Sequence, residues 1–133
     1  MAFYRTREGA ITASDSFTAL DSLYGQSTTA SVQVPSQASQ IVGVIASIST
    51  DSATNGASTF AMQLSGDGLT NGQETICIGS QGVDGTPASN GMTNVPMTLD
   101  VAIPCQGSNQ VSIAVAMDVD VGSAQASVTL VFA

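Results

Sequence analysis

The sequence contains no histidine, no lysine and no tryptophan, and its only basic side chains are Arg5 and Arg7. Without histidine there is no Ser-His-Asp or Cys-His site and no imidazole ligand for a metal. Without lysine there is no Schiff base, no Ser-Lys dyad and no P-loop lysine to grip a phosphate. The inventory leaves carboxylate chemistry of the glycosidase kind, on Asp67, Glu74, Asp84, Asp100, Asp118 or Asp120. Aromatic platforms for sugar rings are scarce, because both tyrosines, Tyr4 and Tyr24, sit early in the chain. No catalytic residue is assigned, and the chain reads as a non-enzyme.

Charge is nearly as scarce. Ten acids against two arginines give a formal charge of −8, and only 9% of residues are charged, where about a quarter is usual. Nucleic-acid binding draws on several cations that displace counterions from phosphates, so the folded body is expected to make no direct grip on DNA or RNA. Arg5 and Arg7 read either as a flexible arm touching phosphate or, the preferred reading, as local partners of Glu8 or of a neighbouring subunit. No run reaches eighteen apolar residues, so no membrane span is read. The opening MAFYRTREGAITASDS has no apolar stretch after its arginines, so no secretory signal is read either.

The mean hydropathy is positive, at +0.26. Soluble sheet proteins usually guard exposed edges with lysine, proline or inward charges. This chain has no lysine to do so. Either its edges close within the fold, or much of its surface is meant to be covered by copies of itself or by other subunits.

What the chain does have is alternation. In the stretch from Val111 to Val121, Val111, Ile113, Val115, Met117, Val119 and Val121 share one face of an extended backbone, and Ser112, Ala114, Ala116, Asp118 and Asp120 share the other. Gly122-Ser123-Ala124-Gln125 then turns the chain, and Val128, Leu130 and Phe132 alternate again, which reads as a closing hairpin. Upstream, Val32 and Val34 form a strand ended by Pro35. A central strand follows over residues 40–49, then strands centred on Phe60, Met62 and Leu64, on Ile76 and Ile78, and on Met97, Leu99, Val101 and Ile103. Turn signals such as Asn55-Gly56, Asn71-Gly72 and Asp84-Gly85 separate them. These are seven strands, with an eighth possible near the N-terminus and no crossover helices. The reading is all-β: an antiparallel two-sheet sandwich, jelly-roll-like or immunoglobulin-like.

At 133 residues this is one domain with enough chain to bury a core. Residues 31–133 are read as the sandwich and residues 1–30 as an N-terminal arm or short helix. Phe17, Leu20, Leu23 and Tyr24 recur at near-helical spacing, with Ser14 or Asp15 as a candidate cap and Gly25 as a stop, so a helix over 15–24 competes with an extended arm. The arm's candidate contacts are Phe3, Tyr4, Arg5, Arg7, Phe17, Leu20 and Tyr24.

Asp118 and Asp120 lie two residues apart on one strand face, where a calcium ion would relieve their repulsion. A solvated strand end explains the same pair without an ion, and no other cofactor is implied. Cys77 and Cys105 read as free thiols, although an extracellular particle would favour a bridge.

The succession V-x-V-P-x-x-A-x-x-I, F-x-M-x-L-S-G-D-G-L, M-T-L-D-V-A-I-P and V-S-I-A-V-A-M-D-V-D-V resembles the small single-jelly-roll coat and decoration proteins of virions. The resemblance covers residues 31–133 and is one of texture. It implies many identical copies in a shell or filament, as trimers or higher assemblies, alongside other virion or filament proteins and located in a virion or extracellular assembly. The rival function is a calcium-assisted carbohydrate-binding sandwich.

Overall fold

The computed structural model describes residues 1–11, 16–50, 56–83, 97–118 and 124–133, and these form two facing antiparallel sheets with no helix. In chain order the strands are β1 (Phe3–Ile11), β2 (Thr18–Ala19), β3 (Ser22–Leu23), β4 (Gln26–Ser27), β5 (Ser31–Gln33), β6 (Gln40–Thr50), β7 (Gly56–Ser65), β8 (Glu74–Val83), β9 (Met97–Pro104), β10 (Gln110–Met117) and β11 (Ala124–Phe132). One sheet runs β4-β3-β1-β11-β6-β9. The other runs β2-β10-β7-β8, with β5 also beside β10.

The pairing is nested. β7 pairs with β8, β6 with β9, β2 and β5 with β10, and β1 with β11, every pair antiparallel. Each pair encloses the one before, as in a long double strand rolled over on itself. The contacts β6–β11 and β7–β10 knit the roll into two sheets. That is jelly-roll topology, and it takes the place of the immunoglobulin-like option.

The core is the inward set of the alternating strands. Val111, Ile113, Val115 and Met117 from β10 face Ala126, Val128, Leu130 and Phe132 from β11, joined by Phe60, Met62 and Leu64 from β7 in the sheet of β10 and by Ile41 and Val44 from β6 in the sheet of β11. Phe60 and Phe132 are its largest fully buried side chains. Burial of a side chain of this size contributes about 2–3 kcal/mol.

Three expectations are corrected. First, residues 16–24 are not helical. Thr18 and Ala19 pair with Val115 and Ala114, and the Leu20 N–H donates to the Ile113 carbonyl (3.0 Å). The free edge of β10 captures this segment, while Tyr24 (φ 53°) and Gly25 (φ 75°) adopt left-handed backbone. Two such residues in succession make the tight primed turn of a β-hairpin, joining Leu23 to its partner Gln26. The proposed caps, Ser14 and Asp15, lie outside the described residues.

Second, β10 and β11 do not form a hairpin with each other. β10 belongs to one sheet and β11 to the other. Both turn their apolar faces inward, and strands with opposed faces stack across a sandwich instead of sharing a ladder. Of the turn read over 122–125, Ala124 and Gln125 instead begin β11, opposite Ile11 and Ala10, and residues 122–123, with Val119 to Val121, lie outside the described residues.

Third, residues 3–11 do not hang as an arm. They pair with β11 without a break, from Phe3 opposite Phe132 to Ile11 opposite Ala124.

Candidate assembly surfaces

The outward positions of the two sheets are small and mostly uncharged. Across the first sheet, Thr6, Thr129, Ile45 and Thr98 stand in one cross-strand row, and the hydroxyls of Thr6 and Thr129 share a hydrogen bond of 2.8 Å. Glu8 and Asp100 flank the row on β1 and β9. Across the second sheet the rows are Ala19, Ala114, Gln63 and Thr75, then Ala116, Ala61 and Cys77, then Ser31, Ser112 and Ser65. The strand period that buries valine and isoleucine on one face places serine, threonine and alanine on the other. Such a face desolvates at little cost, because it holds few charges and short side chains.

The exposed large apolar side chains among the described residues are Met1, Tyr4, Phe17, Leu23 and Tyr24, all early in the chain. Tyr24 is 93% exposed at the tip of the β3–β4 hairpin. That hairpin hangs on Glu8: the Gly25 N–H donates to Glu8 Oε1 (3.0 Å) and the Ser22 hydroxyl to the Glu8 carbonyl (2.8 Å). Tyr4 projects from the outer face of β1. Phe17 borders a shallow hollow of about 320 Å³ with Ala61, Ala116 and Asp118.

The other expected arm contacts are placed differently. Leu20 is 0% exposed and belongs to the core, and Phe3 is half-buried against it. Leu20 is therefore no free anchor, whereas Leu23, on the same apolar pattern, is exposed. Only burial separates the two, and their spacing in sequence does not reveal it.

Arg5 and Arg7 both lie on the inward side of β1, opposite Leu130 and Val128. Arg7 donates from Nη1 to the Thr6 carbonyl (2.8 Å), from Nε to the Thr29 carbonyl (2.8 Å) and from Nη2 to the Ser31 carbonyl (3.0 Å). Its expected carboxylate partner, Glu8, holds the Gly25 amide instead. Among the described residues Arg5 makes one hydrogen bond, from Nη1 to the Tyr4 carbonyl (3.0 Å).

Of the two aspartates considered for calcium, Asp118 follows directly on β10 and its Oδ1 accepts the Thr59 N–H at 2.7 Å. Asp120 lies outside the described residues. Among the described residues no three acidic or cysteine side chains gather as a metal would require. Asp67 caps a turn, its Oδ1 accepting the Gln110 N–H at 3.1 Å. Both cysteines are free thiols, Cys77 exposed and Cys105 buried. Burial pushes the Cys105 thiol pKa up by disfavouring the thiolate.

Fold and surfaces together define the class: an antiparallel jelly roll with charge-poor outer faces and its exposed aromatics gathered early in the chain. No protein-family model and no curated protein matches the sequence. Among solved structures, a chain of infectious bursal disease virus, Gx strain, is similar with a TM-score of 0.51 at 14% identity, the match covering 99% of this chain and 31% of that one. What is shared at that identity is the fold, and this chain spans about a third of the viral chain. Dimeric latent PorU from Porphyromonas gingivalis matches with a TM-score of 0.45 at 16% identity, over 98% of this chain and 12% of that one. A chain in the capsid structure of Helicobacter pylori bacteriophage KHP30 matches with a TM-score of 0.42 at 14% identity, over 100% and 94%. Both of these scores lie below one half.

Proposed function

We propose that this chain is a self-assembling structural subunit, a viral coat or decoration protein whose copies tile a shell as trimers or higher assemblies. The observation that carries the reading is the character of the sandwich's outside: rows of alanine, serine and threonine across both sheets, with Tyr4, Phe17, Leu23 and Tyr24 exposed beside them. Subunit contacts are depleted of charge and enriched in aromatic side chains, and these surfaces have that composition. The jelly-roll fold, shared with a chain of a virus particle, supports the same role.

In this role the core supplies a rigid brick, and the exposed aromatics insert into neighbours as anchors. The small-residue faces allow close backbone approach. Ten acids and two arginines fit an outer layer, or a shell that leaves genome packing to other molecules. Binding through shape and desolvation needs no catalytic group, so the reading includes no enzymatic activity.

Negative-stain imaging of purified chain tests this. Rings, shells or fibres of regular size are expected, and a field of single small particles at high concentration contradicts the reading.

A further inference from the structure

Copies of a chain with ten acids and two arginines repel one another, and a carboxylate that meets a cation at their contact offsets part of that repulsion. Two side chains can provide it. Arg7 is committed to three carbonyls of its own chain. Arg5 is not: beyond its bond to the Tyr4 carbonyl, its N–H donors have no partner among the described residues.

Arg5 lines a hollow of about 350 Å³ with Phe3, Pro35, Ser36, Gln37 and Ser108. Two tightly packed turns build this hollow. In one, the Ala38 N–H donates to the Pro35 carbonyl (2.9 Å), and the N–H groups of Ser36 and Gln37 between them are unengaged among the described residues. In the other, Gly107 packs so closely that a Cβ there would stand 2.6 Å from the Ser36 carbonyl oxygen. Ser108 beside it holds left-handed backbone (φ 72°), fixed by its N–H donating to the Val34 carbonyl (2.9 Å). Arg5 is the charged donor on the wall of this hollow, and a guanidinium is the donor that a carboxylate takes best.

We infer that the Arg5 hollow receives a carboxylate side chain from a second copy of this chain, an inference that rests on the assembly reading above. Asp21 and Asp100 are the exposed candidates, because the carboxylates of both are without a hydrogen bond among the described residues. Asp67 and Glu8, by contrast, already hold backbone amides.

Sedimentation velocity of the full chain, as wild type, R5Q, R5E, and R5E combined with D21R or with D100R, tests the inference. Removing the cation is expected to raise the concentration needed for assembly about tenfold or more, with monomer melting unchanged in R5Q even if R5E is less stable. One of the charge-exchanged pairs is expected to restore assembly. If R5Q and R5E assemble as the wild type does, or if neither exchanged pair recovers, the inference is overturned while the assembly reading stands. A wild type that never associates removes both.

Discussion

The guanidinium of Arg7, on the inward side of β1, donates to the carbonyl of Ser31 at 3.0 Å, and Ser31 begins β5 in the opposite sheet. With its bond to the Thr29 carbonyl, Arg7 closes the side of the sandwich where β1 and β5 meet. One of the chain's two basic side chains is thus a structural tie between sheets.

Arg7→Ala is accordingly expected to destabilise the monomer. Hydrogen bonds from a charged donor contribute about 1.5–3 kcal/mol each when buried. Arg7 is half-buried, so a total loss of about 2 kcal/mol is expected on denaturant unfolding. Arg7→Lys recovers only part of it, because an ammonium lacks the planar fork that reaches several carbonyls at once. A wild-type midpoint in R7A would show that the tie carries no weight.

Leu20 and Tyr24 share one apolar sequence pattern but are predicted to behave oppositely. Leu20→Ala empties a core position and is expected to cost about 2–5 kcal/mol. Tyr24→Ser alters an exposed hairpin tip and is expected to leave monomer stability within about 0.5 kcal/mol, yet to weaken association. Paired unfolding and light-scattering measurements separate the two effects.

Thiol labelling reads the cysteines. Cys77 is exposed and Cys105 is buried, so native chain is expected to take up one equivalent of a thiol reagent, at Cys77, and the second only in denaturant. Burial raises the Cys105 pKa above its ordinary 9.0, so the folded state holds that proton more tightly than the unfolded chain does. Its contribution to stability is complete below about pH 9 and is lost as pH rises through the folded-state value. Cys105→Ala is expected to flatten that alkaline decline in melting temperature. An unchanged decline contradicts it.

Asp118→Ala removes the acceptor of the Thr59 N–H and is expected to cost about 1 kcal/mol. Asp118→Asn keeps an oxygen in place and is expected to cost less. Equal losses in the two variants, measured by thermal unfolding, would contradict a hydrogen-bonding role.

Much of the fold was legible where one face of a strand is uniformly apolar. Strands β7, β9 and β10 declare themselves because Phe60, Leu99 and Ile113 alternate with small or polar neighbours, and β6 because its run from Ile41 is apolar and β-branched on both faces. β1 is camouflaged: three of its inward positions are Arg5, Arg7 and Gly9, and Gly9 is where Leu20 crosses, 3.3 Å from a would-be Cβ. The segment around Leu20 carried a helical period by coincidence, and a free strand edge overrode it. Alternation also gives the face of a strand but not its partner, so β10 and β11 read as a hairpin although they stack across the core. Of the candidate contacts, Tyr4 and Tyr24 were visible as isolated aromatics among polar residues. The Arg5 hollow was not, because its walls come from three separated stretches of chain.

The central claim is association through charge-poor surfaces, and the most direct test is molar mass by light scattering across a range of protein concentrations at low and high salt. The account predicts a multiple of the 13.3 kDa chain mass, growing with concentration towards a closed particle. A constant mass of one chain under every condition would contradict it.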